Sequence, residues 1–176
     1  YRLMPKNPQP AEIEDVAAAF AWTVKNIASR GGDPKHIYIA GHSAGGHLVS
    51  LLALDPRYLA KYELSSKDMQ GVMTLSGVYD VRTLAAFGDE ASRKSASPIE
   101  YVRREAPPFL VTYCQWDYAG LPEQARVFDR ELRRNFIRSE LVYIPGESHI
   151  SEMVHLPRDE DPTARAMLRF MAPAPQ

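Results

Sequence analysis

The pentapeptide Gly41-His42-Ser43-Ala44-Gly45 combines residue types and a spacing that could carry out acyl transfer. It follows the run His36-Ile37-Tyr38-Ile39-Ala40, which is typical of a buried strand, and precedes residues 46–54, whose apolar spacing is helical. A G-x-S-x-G sequence at such a turn is typical of a nucleophile elbow, in which the serine is strained and both flanking glycines must be small. The pattern predicts Ser43 as a nucleophile at a helix N-terminus, where free N–H groups favour developing negative charge.

The other interpretation of this motif is an ordinary strand-to-helix turn in which Ser43 only caps the helix. Gly46 provides a further small residue at a point where a helix would pack tightly against a strand. Together with the strand-like run before the motif and the helix-like run after it, this residue favours the elbow.

A serine hydroxyl is a poor nucleophile until a base removes its proton, and an imidazole can do so because its ordinary pKa is about 6.5. Asp117 and His149 follow the strand-like runs 109–113 and 140–144, at the carboxyl ends where open parallel sheets bind ligands. The chain order Ser43, Asp117, His149 is one in which known serine triads occur. The sequence therefore predicts His149 as the base and Asp117 as the carboxylate that orients it.

Several other residues compete for these roles. His155 is the rival base, although it lies further past the strand end, and Asp80, after the strand-like run 71–77, is the rival acid. His42 is predicted to point away from the base and to pack, and His47 is predicted to be a structural hydrogen-bonding group. Three other aspartates are predicted to be helix-surface or capping residues: Asp129, Asp159 and Asp161.

The elements that must position these residues alternate between strand and helix, which predicts an α/β fold with a largely parallel sheet. The first helix is predicted to begin near Pro10 and to stop at Gly31-Gly32. Residues 80–108 lose periodicity and are predicted to form an irregular or partly helical excursion over the sheet edge. One later helix is predicted from Pro122, with Ala125, Phe128, Leu132 and Phe136 facing inward. Another is predicted from Asp161-Pro162, with Ala164, Met167, Leu168 and Met171 on its inner side.

Composition narrows the class of protein. The 176 residues carry a net charge of −1 and a single cysteine, Cys114, so we expect one domain over 1–176 without a disulfide. A balanced charge gives no indication of nucleic acid or an anionic membrane as partner, and no apolar run is long enough to span a bilayer. We expect no cofactor and no metal, because the chain has neither a phosphate-binding loop nor a ligand cluster. No residue pattern identifies a compartment, and the cytoplasm is the default expectation.

Longer stretches of the chain resemble a known family. The stretches Tyr1-Arg2-Leu3-Met4-Pro5, 10–16, Gly32-Asp33-Pro34 and 41–48 resemble the α/β-hydrolase carboxylesterases related to hormone-sensitive lipase. Residues 76–80, 97–102 and 107–109 resemble the kynurenine formamidase-like and feruloyl esterase-like branch of that superfamily.

This resemblance implies a triad of Ser43, Asp117 and His149, with the N–H of Ala44 as one oxyanion-hole donor. It also implies that the chain is the C-terminal part of an α/β-hydrolase fold, with helices on both faces of the sheet and the N-terminal strands absent. Relatives usually carry glycines at the positions of Cys114 and Ile150, which are departures from the family pattern.

The expected function is a serine hydrolase that cleaves small carboxylic esters through an acyl-enzyme. An arylformamidase or peptidase with the same triad, or a catalytically dead hydrolase fold that serves as a binding module, are the alternatives. The family's His-Gly-Gly-Gly-type loop precedes the Tyr1-Arg2-Leu3 stretch, so the other oxyanion donors are expected from an upstream segment or another chain. The same segment or chain would complete the sheet, and this chain alone is expected to be a weak catalyst.

Overall fold

The computed structural model describes residues 1–3 and 5–172; Met4, part of the first family-like stretch, lies outside the described residues. The strands are β1 (Tyr38–His42), β2 (Gly71–Leu75), β3 (Phe109–Trp116) and β4 (Ser139–Ser148). The helices are α1 (Ala11–Asn26), α2 (Ala44–Leu54), α3 (Pro56–Ala60), α4 (Glu90–Ser95), α5 (Leu121–Arg134), α6 (Ser151–His155) and α7 (Pro162–Met171). Short 3₁₀ turns cover Ile27–Arg30, Ser66–Asp68, Ala85–Phe87 and Pro98–Tyr101.

The four strands form one parallel sheet in the order β1-β2-β3-β4, so the α/β prediction is confirmed. Because the strands are parallel, their carboxyl ends meet at one edge of the sheet, where ligands bind in this class of fold. Within the described residues β1 pairs only with β2, which leaves the elbow strand at the margin of the sheet. Three strands extend further toward this edge than predicted, ending at His42, Trp116 and Ser148.

Helices cover both faces of the sheet, as expected for parallel strands. All five residues of β2 are buried, because neither of its faces meets water. On one face α1, α2 and α5 pack over the sheet through apolar residues that include Ile13, Leu51, Leu52, Phe109 and Phe128. On the other face α7 packs on Met73 and Leu110 through Ala166 and Phe170.

Two predicted helix faces are wrong in part. Phe136 was predicted to face inward but is 77% exposed, because α5 ends at Arg134 and Phe136 follows in a left-handed turn with φ 60°. Leu168 was predicted on the inner side of α7 but is 65% exposed. The buried stripe of α7 is Thr163, Ala166 and Phe170, which lies one residue away from the predicted one.

The segment 80–108 contains α4 and two of the 3₁₀ turns, and side-chain hydrogen bonds anchor it to the rest of the fold. Ser97 Oγ accepts from the backbone N–H of Val81 at 3.0 Å, which closes the segment on itself. His47 Nε2 lies 2.7 Å from the carbonyl oxygen of Ala96 and ties the segment to α2. His47 is buried, so its predicted role as a structural hydrogen-bonding group is confirmed. Across residues 1–3 and 5–172, no helix has the length and apolar character needed to cross a membrane.

Candidate active site

Ser43 occupies a strained turn between the last residue of β1 and the first residue of α2. Its φ is 54° and its ψ is −117°, a left-handed conformation that a residue with a side chain rarely adopts. Such strain costs on the order of 1–3 kcal/mol and persists only when surrounding contacts hold it. The Ser43 N–H donates to Leu75 O at 2.9 Å, and its carbonyl accepts from His47 N–H at 3.1 Å. These two bonds fix the backbone of the turn to β2 and to α2.

The glycines of the motif have unequal roles. A Cβ on Gly41 would lie 2.3 Å from the carbonyl carbon of Gly45, and a Cβ on Gly46 would lie 2.9 Å from Gly77 Cα. A Cβ on Gly45 would meet nothing within 4 Å. The prediction that Gly45 must itself be small is therefore wrong. The backbone of Gly45 instead excludes a side chain at Gly41, and Gly46 permits the close approach of α2 to the segment just after β2.

The structure brings Ser43, His149 and Asp117 together in one hydrogen-bonded chain. His149 Nε2 lies 2.9 Å from Ser43 Oγ, and His149 Nδ1 lies 2.7 Å from Asp117 Oδ1. Because a carboxylate can only accept, Nδ1 carries the proton and Nε2 is left to accept from the serine hydroxyl. The side chains of His149 and Asp117 are 3% and 0% exposed, so water does not compete for this pair. The arrangement can remove a proton from Ser43 and hold it on His149.

The rival acid and base lie elsewhere. Asp80 forms an ion pair with Arg82, and the hydrogen bonds from that guanidinium lower the pKa of Asp80. His155 Nδ1 lies 2.9 Å from Glu147 Oε1. Desolvation alone would raise the pKa of Glu147, but hydrogen bonds from Ser151 and His155 lower it on balance. Asp80 is therefore engaged in a local ion pair and His155 in a local hydrogen bond, and neither belongs to the chain that contains Ser43.

The backbone around Asp117 holds its carboxylate in place. Oδ1 accepts from the N–H of Tyr118 at 2.9 Å, and Oδ2 accepts from the N–H of Cys114 at 3.3 Å. Cys114, the first departure from the family pattern, has a buried thiol, and burial raises its pKa. Ile150, the second departure, directs its side chain to solvent and is 56% exposed. Neither departure displaces Asp117 or His149 from the hydrogen-bonded chain.

His42 contacts the base, so the prediction that it points away is wrong. Its Nε2 lies 2.7 Å from the backbone carbonyl oxygen of His149, and the two imidazole centroids are 4.5 Å apart. The reason is that β1 continues to His42, which places its ring at the edge where the His149 segment crosses. Burial lowers the pKa of His42, although the bond to the His149 carbonyl opposes this, so the ring is neutral near pH 7. Tyr118 also stacks on the His149 ring, at 4.2 Å between centroids.

Glu152 is a buried carboxylate beneath the site that sequence reasoning missed. It is fully buried on α6, and its oxygens accept from Ser76 Oγ at 2.7 Å and Thr112 Oγ1 at 2.6 Å. Thr163 Oγ1 lies 3.4 Å from the same carboxylate. Glu152 thereby connects the segment after His149 to Ser76 just past the end of β2, to Thr112 within β3 and to α7. Its position one helical turn after His149 is the sequence signal that could have identified it.

A cavity of about 250 Å³ opens beside Ala44, with Leu3, Leu48 and Phe87 among its lining residues. Ala44 is the first residue of α2, and the N–H at that position of a helix has no acceptor within the helix. It is therefore available to a negatively charged oxygen formed at Ser43. No cluster of three His, Cys, Asp or Glu side chains suited to a metal ion occurs in the described part of the chain.

The chain is similar to a known family and to several known proteins. The BD-FAE family model matches residues 1–132. The esterase LipC of Mycobacterium tuberculosis is 36% identical over 97% of this chain and 48% of its own length. The probable carboxylic ester hydrolase LipM of the same organism is 33% identical over 98% of this chain and 45% of its own length. The chain thus spans about half the length of the curated relatives it matches.

Solved structures share the fold at lower identity. Esterase 2 of Thermogutta terrifontis with propionate bound has a TM-score of 0.71 and 22% identity, covering 93% of this chain and 67% of that one. Esterase B of Lactobacillus rhamnosis has a TM-score of 0.79 and 22% identity, covering 97% of this chain and 64% of that one. At these identities the likeness concerns the fold, and it agrees with the parallel sheet described above.

Proposed function

Because the chain belongs to the BD-FAE family, within the α/β-hydrolase carboxylesterases related to hormone-sensitive lipase, we propose that it is a serine hydrolase of small carboxylic esters. The observation that carries this proposal is the unbroken hydrogen-bonded chain from Ser43 through His149 to Asp117. We propose Ser43 as nucleophile, His149 as general base and Asp117 as the carboxylate that orients the imidazole. The proposal concerns the whole protein to which these residues belong.

In the first half of the proposed reaction, Ser43 Oγ attacks the ester carbonyl carbon while His149 Nε2 takes the hydroxyl proton. The imidazolium that forms is stabilised by Asp117, whose oxygen accepts from Nδ1–H at 2.7 Å. The Ala44 N–H donates to the negatively charged oxygen of the tetrahedral intermediate. His149 then returns the proton to the leaving alcohol as its bond to the carbonyl carbon breaks, leaving an acyl-enzyme on Ser43.

In the second half, water attacks the acyl carbonyl and His149 Nε2 accepts a water proton. The bond between the acyl carbon and Ser43 Oγ breaks as the proton passes back to that oxygen. A carboxylic acid leaves, and the enzyme returns to its starting protonation state. The cavity beside Ala44 is the space in which we place the acyl group, and its size suits a small one.

A single oxyanion donor would leave this reaction slow, because removing one donor from such a site costs about 10²–10³ in turnover. We propose that further donors come from a segment outside these residues or from another chain. Two observations support this: β1 pairs on one side only within the described residues, and the curated relatives are about twice as long. The test of function therefore uses the full-length protein that contains this chain.

The experiment measures hydrolysis of p-nitrophenyl acetate and p-nitrophenyl butyrate by the wild type and by Ser43→Ala. We expect the loss of Ser43 to lower kcat by at least about 10³, as for other serine triads. Ser29→Ala is the matched control, because its exposed hydroxyl donates to the carbonyl of the nearby Asn26. A Ser43→Ala protein that hydrolyses these esters as fast as the control would overturn the proposal.

A further inference from the structure

We propose that His42 is a positioning residue, which fixes the base His149 by holding its backbone carbonyl. This inference rests on the proposed function, since it assigns a role within the same site. His42 immediately precedes Ser43, so adjacent residues of one elbow hold His149 at two points. Ser43 contacts the ring at Nε2, and His42 contacts the main chain of the same residue.

The chemistry of the acceptor fixes the state of the His42 ring. A backbone carbonyl only accepts hydrogen bonds, so the Nε2 that lies 2.7 Å from His149 O must carry a proton. His42 therefore donates, and it does so as the Nε2–H tautomer of a neutral ring. At 2.7 Å this bond is at the short end of the range for a nitrogen donor.

The remaining main-chain contact of His149 is weaker. Its N–H donates to Trp116 O at 3.4 Å, which is longer than an ordinary backbone hydrogen bond. The restraint on the backbone of the base thus comes mainly from His42. The side chain of His149 is restrained separately, by Asp117 at Nδ1 and by the stacked ring of Tyr118.

Loss of the His42 donor would leave a carbonyl without its partner at a residue that is 3% exposed. Such a group costs free energy until it finds a new partner, so the peptide of His149 is expected to rotate. Rotation of the peptide displaces the imidazole from Ser43 Oγ. A displacement of about 1 Å in a catalytic group can cost about 10² in rate.

The experiment compares His42→Leu with His42→Gln in the full-length protein. Leucine removes the donor, whereas the glutamine amide reaches as far from the backbone as imidazole Nε2 and can donate to the same carbonyl. Should His42→Leu fail to fold, His42→Asn replaces it, because its amide is too short to reach. His155→Leu is the matched control, since it removes an imidazole bond to Glu147 from the same segment without touching His149.

The readouts of this experiment are kcat and KM for p-nitrophenyl butyrate. For His42→Leu we expect kcat to fall about 10- to 100-fold with KM nearly unchanged, because the base is misplaced while the ester still binds. His42→Gln and His155→Leu are expected to stay within about threefold of the wild type. A wild-type kcat in His42→Leu would overturn the proposal. So would an equal loss in His42→Gln, or an equal loss in His155→Leu.

Proton NMR separates a failure of this inference from a failure of the proposed function. The proton between His149 Nδ1 and Asp117 should give a downfield resonance in the wild type and in His42→Gln. It should broaden or vanish in His42→Leu, because the ring no longer keeps one position. A sharp, unshifted resonance in His42→Leu would overturn the positioning role whether or not the protein hydrolyses esters. If the NMR changes occur as expected but the protein shows no Ser43-dependent hydrolysis, the proposed function is overturned and the positioning role of His42 is kept.

Discussion

Oδ1 of Asp117 lies 2.7 Å from Nδ1 of His149, and the two side chains are 0% and 3% exposed. Excluded from water, the carboxylate sets which nitrogen of the imidazole holds the proton. It also stabilises the positive charge that His149 would gain on taking a proton from Ser43. The pair thus connects the geometry of the site to its proposed chemistry.

Asp117→Asn tests this connection. The amide can donate to Nδ1, which would put the imidazole proton on Nε2 and turn a donor toward Ser43. We expect kcat for p-nitrophenyl butyrate to fall by about 10²–10⁴ while the protein stays folded. Asp80→Asn, which removes the charge from the rival acid, should change kcat by less than about threefold. Equal losses in the two variants would contradict the assignment of Asp117.

The turn at Ser43 and the meeting of Ser43, Asp117 and His149 at one edge could be predicted because local rules determine both, and their catalytic roles stay a prediction. The turn around Ser43 is marked by small residues and by the change from strand to helix periodicity. Asp117 and His149 each follow a strand, and parallel strands bring their carboxyl ends to one edge whatever the details of packing. Prediction was therefore possible without any knowledge of long-range contacts.

Prediction failed where the outcome depends on packing. The inner face of α7 could not be assigned because apolar residues occur on both candidate stripes, and only contact with Met73 and Leu110 selects Ala166 and Phe170. Contacts between residues that are far apart in the chain could not be predicted from the sequence either. The bond from His42 to the His149 carbonyl spans 107 positions. The bond from Ser76 to Glu152, whose partners lie on separate elements, spans 76.

Alanine substitutions at Gly45 and Gly46 should have opposite effects on stability. At Gly46 the new Cβ would lie 2.9 Å from Gly77 Cα, so α2 must move away from the segment just after β2. We expect this overpacking to lower the free energy of unfolding by about 1–3 kcal/mol. At Gly45 the space is open, and alanine in a helix should raise stability by about 0.5–1 kcal/mol. Urea unfolding of both variants checks this, and a Gly46→Ala protein as stable as Gly45→Ala would refute the close approach.

Glu152→Leu should destabilise the fold through the hydroxyls it leaves without an acceptor. Ser76 and Thr112 both donate to this carboxylate in the interior, and an unsatisfied buried group costs about 1–3 kcal/mol. Urea unfolding should show the loss. Glu123→Gln is the control: its side chain is 62% exposed, and its removal should change stability by less than about 0.5 kcal/mol. Matching midpoints for the two variants would show that the Glu152 hydrogen bonds contribute little.

Acid should destabilise the protein through His47. Burial lowers the pKa of His47 below its ordinary value of 6.5, so the unfolded chain binds this proton more readily than the folded one. The contribution of His47 to the free energy of unfolding is therefore fully present above pH 6.5. It is lost as the pH falls through the lowered pKa of His47. For one such group, the free energy of unfolding changes by at most about 1.4 kcal/mol per pH unit.

Unfolding measured from pH 8 to pH 5 in the wild type and in His47→Gln isolates this effect. The free energy of unfolding of the variant should fall less steeply toward pH 5, because glutamine does not titrate and can still donate to the Ala96 carbonyl. His42, whose pKa burial also lowers, is present in both proteins, so the difference between their profiles reports His47. Identical pH profiles for the two proteins would exclude a titrating His47.

Covalent labelling of the full-length protein by a fluorophosphonate, located by peptide mass mapping, measures the reactivity of Ser43 most directly. The proposed chemistry predicts one label per chain on Ser43, no label in Ser43→Ala, and labelling slowed by at least about 10² in His149→Ala. Labelling of Ser43 no faster than in the heat-denatured protein, or a rate unchanged by His149→Ala, would contradict it.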